Sequence, residues 1–192
     1  MDRRAAFALT PPARCGAPGS LDMLYLVRHA HAVPEEEDPE RPLSLQGATE
    51  CTQLIRFFRS NGALPGLQFW HSPLARSRQT ADRLAAALAP DAVRLETPGL
   101  LPEDDPEPTA RRLDTLGTEA AIVIVGHEPH LAHLASLLLT DRAKPAVIDL
   151  PKGGVLALRR KKMPHRKTAH PRWQLCWMVV PSLLADTPAP GG

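Results

Sequence analysis

Two arginines and two histidines follow apolar runs of the chain, at points where a strand would end. Arg28 and His29 come directly after the run at residues 24–27. Arg76 comes shortly after a second run, and His127 comes two residues after a third. A neutral imidazole is a good nucleophile near pH 7, and guanidinium groups bind phosphoryl oxygens two at a time. Together these four side chains would make an anion site with its own nucleophile, which is what phosphoryl transfer requires.

The elements that would carry these residues alternate between strand and helix. Short apolar runs predict strands at residues 24–27, 67–70, 93–95, 121–125, 155–158 and 174–180. Apolar positions at helical spacing predict helices at residues 45–61, 73–88, 106–116 and 129–139. This alternation predicts an α/β fold, a three-layer α/β/α sandwich with a mostly parallel central sheet. Ligands of such sheets bind beyond the carboxyl ends of the strands, which is where the arginines and histidines fall.

Serine residues mark where two of the helices should begin. Ser44 is suited to cap the first helix with its side chain. Ser72 and Pro73 fit the cap and the first helical position of the second helix, because proline loses no hydrogen bond at that position. The free backbone N–H groups of that helix start would add to the anion site beside Arg76.

Length and composition indicate a single domain of 192 residues, with 43% apolar and 23% charged side chains. We predict a disordered leader at residues 1–22, a folded domain at 23–181 and a flexible tail at 182–192. The net charge of +2 and the aromatic content of 4% give no reason to expect a nucleic-acid partner. The basic segment at residues 159–172 is interpreted as a solvated hairpin loop.

Membrane association is not expected from the sequence either. No apolar run approaches the roughly 20 residues of a membrane-spanning helix. The apolar stretch at residues 5–9 is too short for a secretory signal. We therefore expect a cytoplasmic protein.

Four motifs in order resemble those of a known family, the histidine phosphatase (phosphoglycerate mutase-like) superfamily. The motifs are Leu-Val-Arg-His-Ala at residues 26–30, Arg-Pro-Leu-Ser at 41–44, Ser-Pro-Leu-Ala-Arg-Ser-Arg-Gln-Thr-Ala at 72–81, and Val-Gly-His-Glu-Pro at 125–129. The short chain and the Arg-Pro-Leu-Ser motif are similar to those of its SixA-like phosphohistidine phosphatase branch. The resemblance covers residues 23–181.

The resemblance implies a role for each matching residue. His29 matches the nucleophile, which would carry the phosphoryl group as phosphohistidine. Arg28, Arg76 and a protonated His127 match the phosphate pocket, and Arg41 matches a basic residue near its mouth. The family needs no metal or organic cofactor for this step, and none is expected here.

The substrate implied by the resemblance is a protein phosphohistidine, as in signalling phosphorelays. A phosphorylated imidazole leaves more readily than an alkoxide and needs less help from an acid, and SixA-like members lack a dedicated one. Glu103 is the candidate acid if one is used. A small phosphate ester, a phospho-ligand binding module with little turnover, and a metal-dependent hydrolase are the alternatives.

Three histidines recur at every third residue, His127, His130 and His133, and such a series could bind a metal ion. The spacing is not the i, i+4 pair of a zinc helix, and Pro129 starts a helix after the first of the three. We expect His130 at the pocket rim and His133 on the helix surface.

Overall fold

The structure is a computed structural model that describes residues 22–61, 68–116, 121–161 and 173–184. Within these ranges the chain forms six strands, β1 (Met23–Arg28), β2 (Gln68–His71), β3 (Val93–Glu96), β4 (Ile122–Gly126), β5 (Val155–Arg160) and β6 (Trp173–Val179). Four α-helices occur in the same ranges, α1 (Leu45–Asn61), α2 (Ala75–Leu88), α3 (Pro106–Thr115) and α4 (His130–Thr140). Every predicted strand and helix is therefore present, with ends shifted by a few residues.

The described strands form one sheet in the order β3-β2-β4-β1-β5-β6. β1 pairs in parallel with β4, which pairs in parallel with β2, and β2 pairs in parallel with β3. Among the described strands, β5 alone points opposite to the other five, since it is antiparallel to both β1 and β6. The carboxyl ends of β1, β4 and β2 therefore lie side by side, which brings together the segments that follow them.

Alternate side chains of the central strands pack in two separate hydrophobic cores, one on each face of the sheet. Tyr25 and Val27 of β1 pack in the core that contains apolar residues of α1 and α2. Leu24 and Leu26 pack in the core that contains apolar residues of α3 and α4. Helices thus cover both faces, and the predicted three-layer α/β/α sandwich with a mostly parallel sheet is confirmed.

The two serines predicted to cap helices behave differently. Ser44 does cap α1, because its hydroxyl accepts a hydrogen bond from the backbone N–H of Gly47 at 3.2 Å. Ser72 does not cap α2: the helix begins at Ala75, and its cap residue is Leu74, which makes no side-chain capping bond. The Ser72 hydroxyl faces another partner, and the chain turns into the helix two residues later than predicted.

The predicted ends of the domain fall partly outside the described residues. The backbone carbonyl of Asp22 accepts a hydrogen bond at 2.8 Å from the backbone N–H of Arg160. Residues 1–21 of the predicted leader lie outside the described residues. A short 3-10 helix, Pro181–Leu183, covers the start of the predicted tail, and residues 185–192 lie outside. Of the predicted basic loop, the first two arginines belong to β5 and residues 162–172 lie outside. No helix in the described part of the chain is both long and apolar enough to span a membrane.

Candidate active site

The candidate site lies where β1 and β4 end next to each other. The backbone N–H of His29 donates to the carbonyl of Gly126 at 3.0 Å, so the residue after β1 is fixed to the last residue of β4. The rings of His29 and His127 then lie next to each other, with 4.9 Å between their centroids and their planes tilted by 51°. Two imidazoles nearly 100 residues apart in the chain thus share one site at the carboxyl edge of the sheet.

The ring of His29 is held in one orientation by its own backbone. Its Nδ1 lies 2.7 Å from the carbonyl oxygen of Ala30. A carbonyl only accepts hydrogen bonds, so Nδ1 must carry the proton and donate, and in the neutral ring Nε2 carries the lone pair. His29 is only 6% exposed. The ring therefore presents one defined nucleophilic nitrogen.

The protonation of His29 is also controlled by its surroundings. Burial, opposed by the hydrogen bond to Ala30 and helped by the charges of Arg76, Arg28 and Lys152, lowers the pKa of His29 to about 4. The positive neighbours act in the direction expected from the sequence, but burial is the larger cause. At neutral pH the Nε2 lone pair is free for attack on an electrophile.

His127 is tied to β2 through Ser72. The Nε2 atom of His127 lies 2.6 Å from the Ser72 hydroxyl, whereas its Nδ1 is buried without a hydrogen-bond partner among the described residues. Burial, followed by the proximity of His29 and the charge of Arg76, lowers the pKa of His127 to about 3. Burial therefore favours the neutral form of this imidazole, in the opposite direction to the protonated His127 expected from the sequence.

Two arginines contribute positive charge to both rings of the site. Arg28 is anchored by one terminal nitrogen, which donates to the carbonyl of Leu150 at 2.9 Å, while its Nε is buried without a partner in the described ranges. Arg76 lies in the first turn of α2 and is half-buried. Both guanidinium charges act on His29 and on His127, so both lie close to the pair of rings.

Thr80 connects the nucleophile segment to the helix that carries Arg76. Its hydroxyl accepts a hydrogen bond from the backbone N–H of Ala30 at 3.1 Å and donates to the carbonyl of Arg76 at 2.7 Å. Thr80 is 0% exposed, so neither bond competes with water. The residue after His29 and the turn that carries Arg76 are thereby held in fixed register, which the sequence pattern did not reveal.

Among the described residues, the two remaining predicted site residues make no hydrogen bond to either ring. Arg41 has a left-handed backbone (φ 48) and donates from Nε to the carbonyl of Val33 at 3.4 Å. Burial, and next the positive charge of Arg41, lower the pKa of Arg76, which places Arg41 close to Arg76. Glu103 is exposed and makes no hydrogen bond or ion pair with the other predicted residues in the part of the chain described.

His130 is not at the pocket rim, as the sequence had suggested, but is fully buried at the start of α4. It is 0% exposed, and neither ring nitrogen has a hydrogen-bond partner among the described residues. Burial lowers its pKa to about 4, against the opposing effect of Asp104. His133 is half-buried on the same helix. Across the described ranges, no three or more His, Cys, Asp or Glu side chains are grouped so that they could hold a metal ion.

Glu128, which the sequence analysis passed over, has an unusual carboxyl group. One of its oxygens is buried without a partner among the described residues. Burial, opposed by the charge of Arg28 and by a hydrogen bond from the backbone of Ala132, raises the pKa of Glu128 to about 7. In the sequence, its position directly after His127 is the feature that could have indicated a carboxyl group beside the site. A carboxyl group that is partly protonated at neutral pH is thus next to the site.

The buried histidines predict that the protein loses stability in mild acid. His29, His127 and His130 have folded pKa values below the unfolded value of 6.5, so the unfolded chain binds more protons below that pH. Their contribution is lost as the pH falls from about 6.5 towards 4. Glu128 acts in the opposite direction, because its raised pKa makes the folded state hold a proton up to about pH 7. The loss of folding stability caused by three histidines exceeds the gain caused by one carboxyl group, so the net effect of mild acid is destabilisation.

Replacing His130 by leucine should make the stability less dependent on pH. We expect the fall in the free energy of unfolding between pH 7.5 and pH 5 to shrink by about 2 kcal/mol, because one buried group no longer has to be protonated on unfolding. Urea denaturation at the two pH values measures this difference. A His130→Leu variant with the same fall as wild type would contradict the assignment of His130 as a buried neutral group.

The chain is similar to phosphatases in sequence and fold. Residues 24–100 match the model of the histidine phosphatase superfamily (branch 1). The chain is 32% identical over 142 residues to an uncharacterized protein of Picosynechococcus sp., covering 71% of this chain and 84% of the relative. The structure of the protein histidine phosphatase SixA complexed with tungstate has a TM-score of 0.69 at 18% identity, covering 84% of this chain and 99% of that one. A mycobacterial glucosyl-3-phosphoglycerate phosphatase has a TM-score of 0.60 at 16% identity, covering 80% and 96%.

Proposed function

The chain belongs to the histidine phosphatase superfamily, whose phosphoglycerate mutase-like fold it has, and we propose that this phosphatase hydrolyses protein phosphohistidine through a phosphoryl group carried on His29. The observation that carries the proposal is the hydrogen bond from His29 Nδ1 to the Ala30 carbonyl. It leaves Nε2 unprotonated beside two guanidinium groups. A nucleophile next to cations is the arrangement that an incoming phosphate dianion requires.

In the first step His29 Nε2 attacks the phosphorus of the substrate. A bond forms between Nε2 and phosphorus as the bond from phosphorus to the substrate nitrogen breaks, and the freed imidazole takes a proton from solvent. Arg28 offers its unpartnered Nε, Arg76 its guanidinium group and His127 its Nδ1–H to the equatorial oxygens. The hydrogen bonds of Arg28 to Leu150 and of His127 to Ser72 support this proposal, because anchored donors need little reorganisation as charge develops.

In the second step water attacks the phosphoryl group on His29. A bond forms between the water oxygen and phosphorus, the bond to Nε2 breaks, and inorganic phosphate leaves with the protons of water. The hydrogen bond from Nδ1 to Ala30 keeps the ring in place throughout both steps. Neither step needs a metal ion, because the two guanidinium groups balance the phosphoryl charge. We propose Arg41, close to Arg76, as a residue that attracts the phosphorylated substrate.

Phosphohistidine is preferred as substrate because of its leaving group. An imidazole leaves from phosphorus more readily than an alkoxide and so needs less assistance from an acid. SixA, whose fold this chain shares, is named as a protein histidine phosphatase, which supports the same substrate class. Glu103, the acid candidate drawn from the sequence, is exposed and makes no hydrogen bond or ion pair with the described site residues.

The substrate proposal is tested by comparing kcat/KM on a phosphohistidine peptide, a phosphoserine peptide and sugar phosphates. We expect the phosphohistidine peptide to be favoured by at least about tenfold, which corresponds to about 1.4 kcal/mol of transition-state stabilisation. The rate must be corrected for spontaneous hydrolysis of the peptide. A sugar phosphate hydrolysed as fast as, or faster than, the phosphohistidine peptide would contradict the proposed substrate class.

A small phosphate ester is the second candidate substrate, and the carboxyl group of Glu128 is the observation in its favour. With a pKa of about 7, this group is partly protonated at neutral pH and could give its proton to an alkoxide. If esters are the true substrates, Glu128→Gln should lower ester hydrolysis much more than hydrolysis of the phosphohistidine peptide. Equal effects on both substrates would remove Glu128 as the acid.

A further inference from the structure

We infer that Ser72 is a positioning residue that fixes His127 in the tautomer with its proton on Nδ1, ready to donate to the phosphoryl group. The inference rests on the proposed function for the role of that proton, and on the hydrogen bonds around Ser72 for the tautomer. Ser72 follows β2 and His127 follows β4, so the bond between them joins two neighbouring strand ends across 55 residues of sequence.

The direction of the Ser72–His127 hydrogen bond follows from counting donors and acceptors. A serine hydroxyl has one proton to donate, and the Nε2 atom of His127, at 2.6 Å, is the acceptor that the described residues offer it. The oxygen of the same hydroxyl faces the backbone N–H of Leu74, a long contact of 3.4 Å in which it accepts. With the hydroxyl proton on the Nε2 side, the ring proton must be on Nδ1.

Ser72 is itself fixed to the strand that carries His127. Its backbone N–H donates to the Ser77 hydroxyl at 3.2 Å, and that hydroxyl donates to the carbonyl of Val125 in β4 at 2.8 Å. Ser72 and Ser77 are both 0% exposed, so water does not compete for these bonds. The hydroxyl of Ser72 is therefore held at a constant position relative to the His127 ring.

The tautomer decides whether His127 attracts or repels a phosphoryl oxygen. A proton on Nδ1 makes this nitrogen a donor, whereas a lone pair there would face the negative oxygens. The neutral ring that burial favours has only one proton, so the choice between the two nitrogens has to be made by a neighbour. Ser72 makes that choice without carrying a charge into a site that must bind a dianion.

The tautomer can be read directly from the ring nitrogens of His127 by ¹⁵N NMR of the unliganded protein. In wild type we expect a protonated Nδ1 and an unprotonated Nε2, and in Ser72→Ala a mixture of the two tautomers. Ser136→Ala is the matched control, because Ser136 is another fully buried serine whose hydroxyl, among the described residues, bonds only to the backbone of Ala132 and Val147. Loss of a buried hydroxyl there should leave the His127 signals unchanged.

The same variants are compared for inhibition by orthovanadate, which resembles the transition state of phosphoryl transfer, and for kcat/KM. Ser72→Ala should raise the inhibition constant of orthovanadate and lower kcat/KM, each by roughly 10- to 100-fold, as loss of a partner that orients an imidazole typically does. Ser136→Ala should change neither. A proton on Nε2 in wild type, or an unchanged tautomer in Ser72→Ala, overturns the inference. A wild-type protein without phosphatase activity but with the predicted tautomer would instead contradict the proposed function.

Discussion

His29→Ala is expected to lower kcat by at least about a thousandfold on every phosphorylated substrate. The substitution removes the ring nitrogen whose lone pair the Ala30 hydrogen bond leaves free for attack, and loss of a covalent nucleophile typically costs at least this much. The arginines that bind phosphate remain, so the inhibition constant of inorganic phosphate should change far less than kcat. Steady-state kinetics and phosphate inhibition, measured on the same preparation, separate these two effects.

His133→Ala is the matched control for the nucleophile. His133 is half-buried on α4, outside the hydrogen bonds that organise the site, and its loss should leave kcat near the wild-type value. Circular dichroism and thermal denaturation establish that both variants fold. If folded His29→Ala turned substrate over at the rate of His133→Ala, His29 could not be the group that takes the phosphoryl group.

Arg76→Ala is expected to lower kcat/KM by about 10²- to 10³-fold, the usual cost of removing one charged donor from a preorganised anion site. Arg76 lies in the first turn of α2 and acts electrostatically on His29 and His127, so the bound phosphoryl group would lose one of its two cations. The inhibition constant for orthovanadate should rise with it. A lysine at this position should rescue only part of the loss, because it lacks the fork that matches two oxygens.

Arg78→Ala offers a control on the same helix with the same loss of charge. Arg78 is exposed two residues further along α2, and helical geometry turns it away from the direction of Arg76. We expect nearly unchanged kcat/KM in this variant at physiological salt, since solvent screens an exposed charge. Similar losses in both variants would show that the effect comes from net charge and not from a specific contact at Arg76.

Much of the fold and the position of the site could be predicted because both depend on local patterns. Apolar runs marked all six described strands, and the parallel arrangement of β1, β4 and β2 follows from the helices between them. The rule that ligands bind beyond strand ends then indicated Arg28, His29 and His127. The structure brings these residues and Arg76 together, although they span nearly 100 positions of sequence.

The features that sequence analysis missed depend on contacts between distant residues. Ser72 looked like a helix cap because serine before proline has that local preference, but its hydroxyl bonds to His127 instead. His130 looked like a rim residue, and only the packing of α4 shows that it is buried. The burial that lowers the pKa of His127 likewise depends on packing between distant residues, and it opposes the expectation that a phosphate-binding histidine is charged.

The phosphoryl group itself provides the most direct test of the mechanism. Wild-type protein is mixed with a ³²P-labelled phosphohistidine peptide, quenched within milliseconds under alkaline conditions, digested and mapped by mass spectrometry. The proposed mechanism predicts an acid-labile, alkali-stable phosphoryl group on the peptide that contains His29, formed and lost at rates compatible with turnover. Turnover without any labelled enzyme, or a label on a different residue, would contradict catalysis through His29.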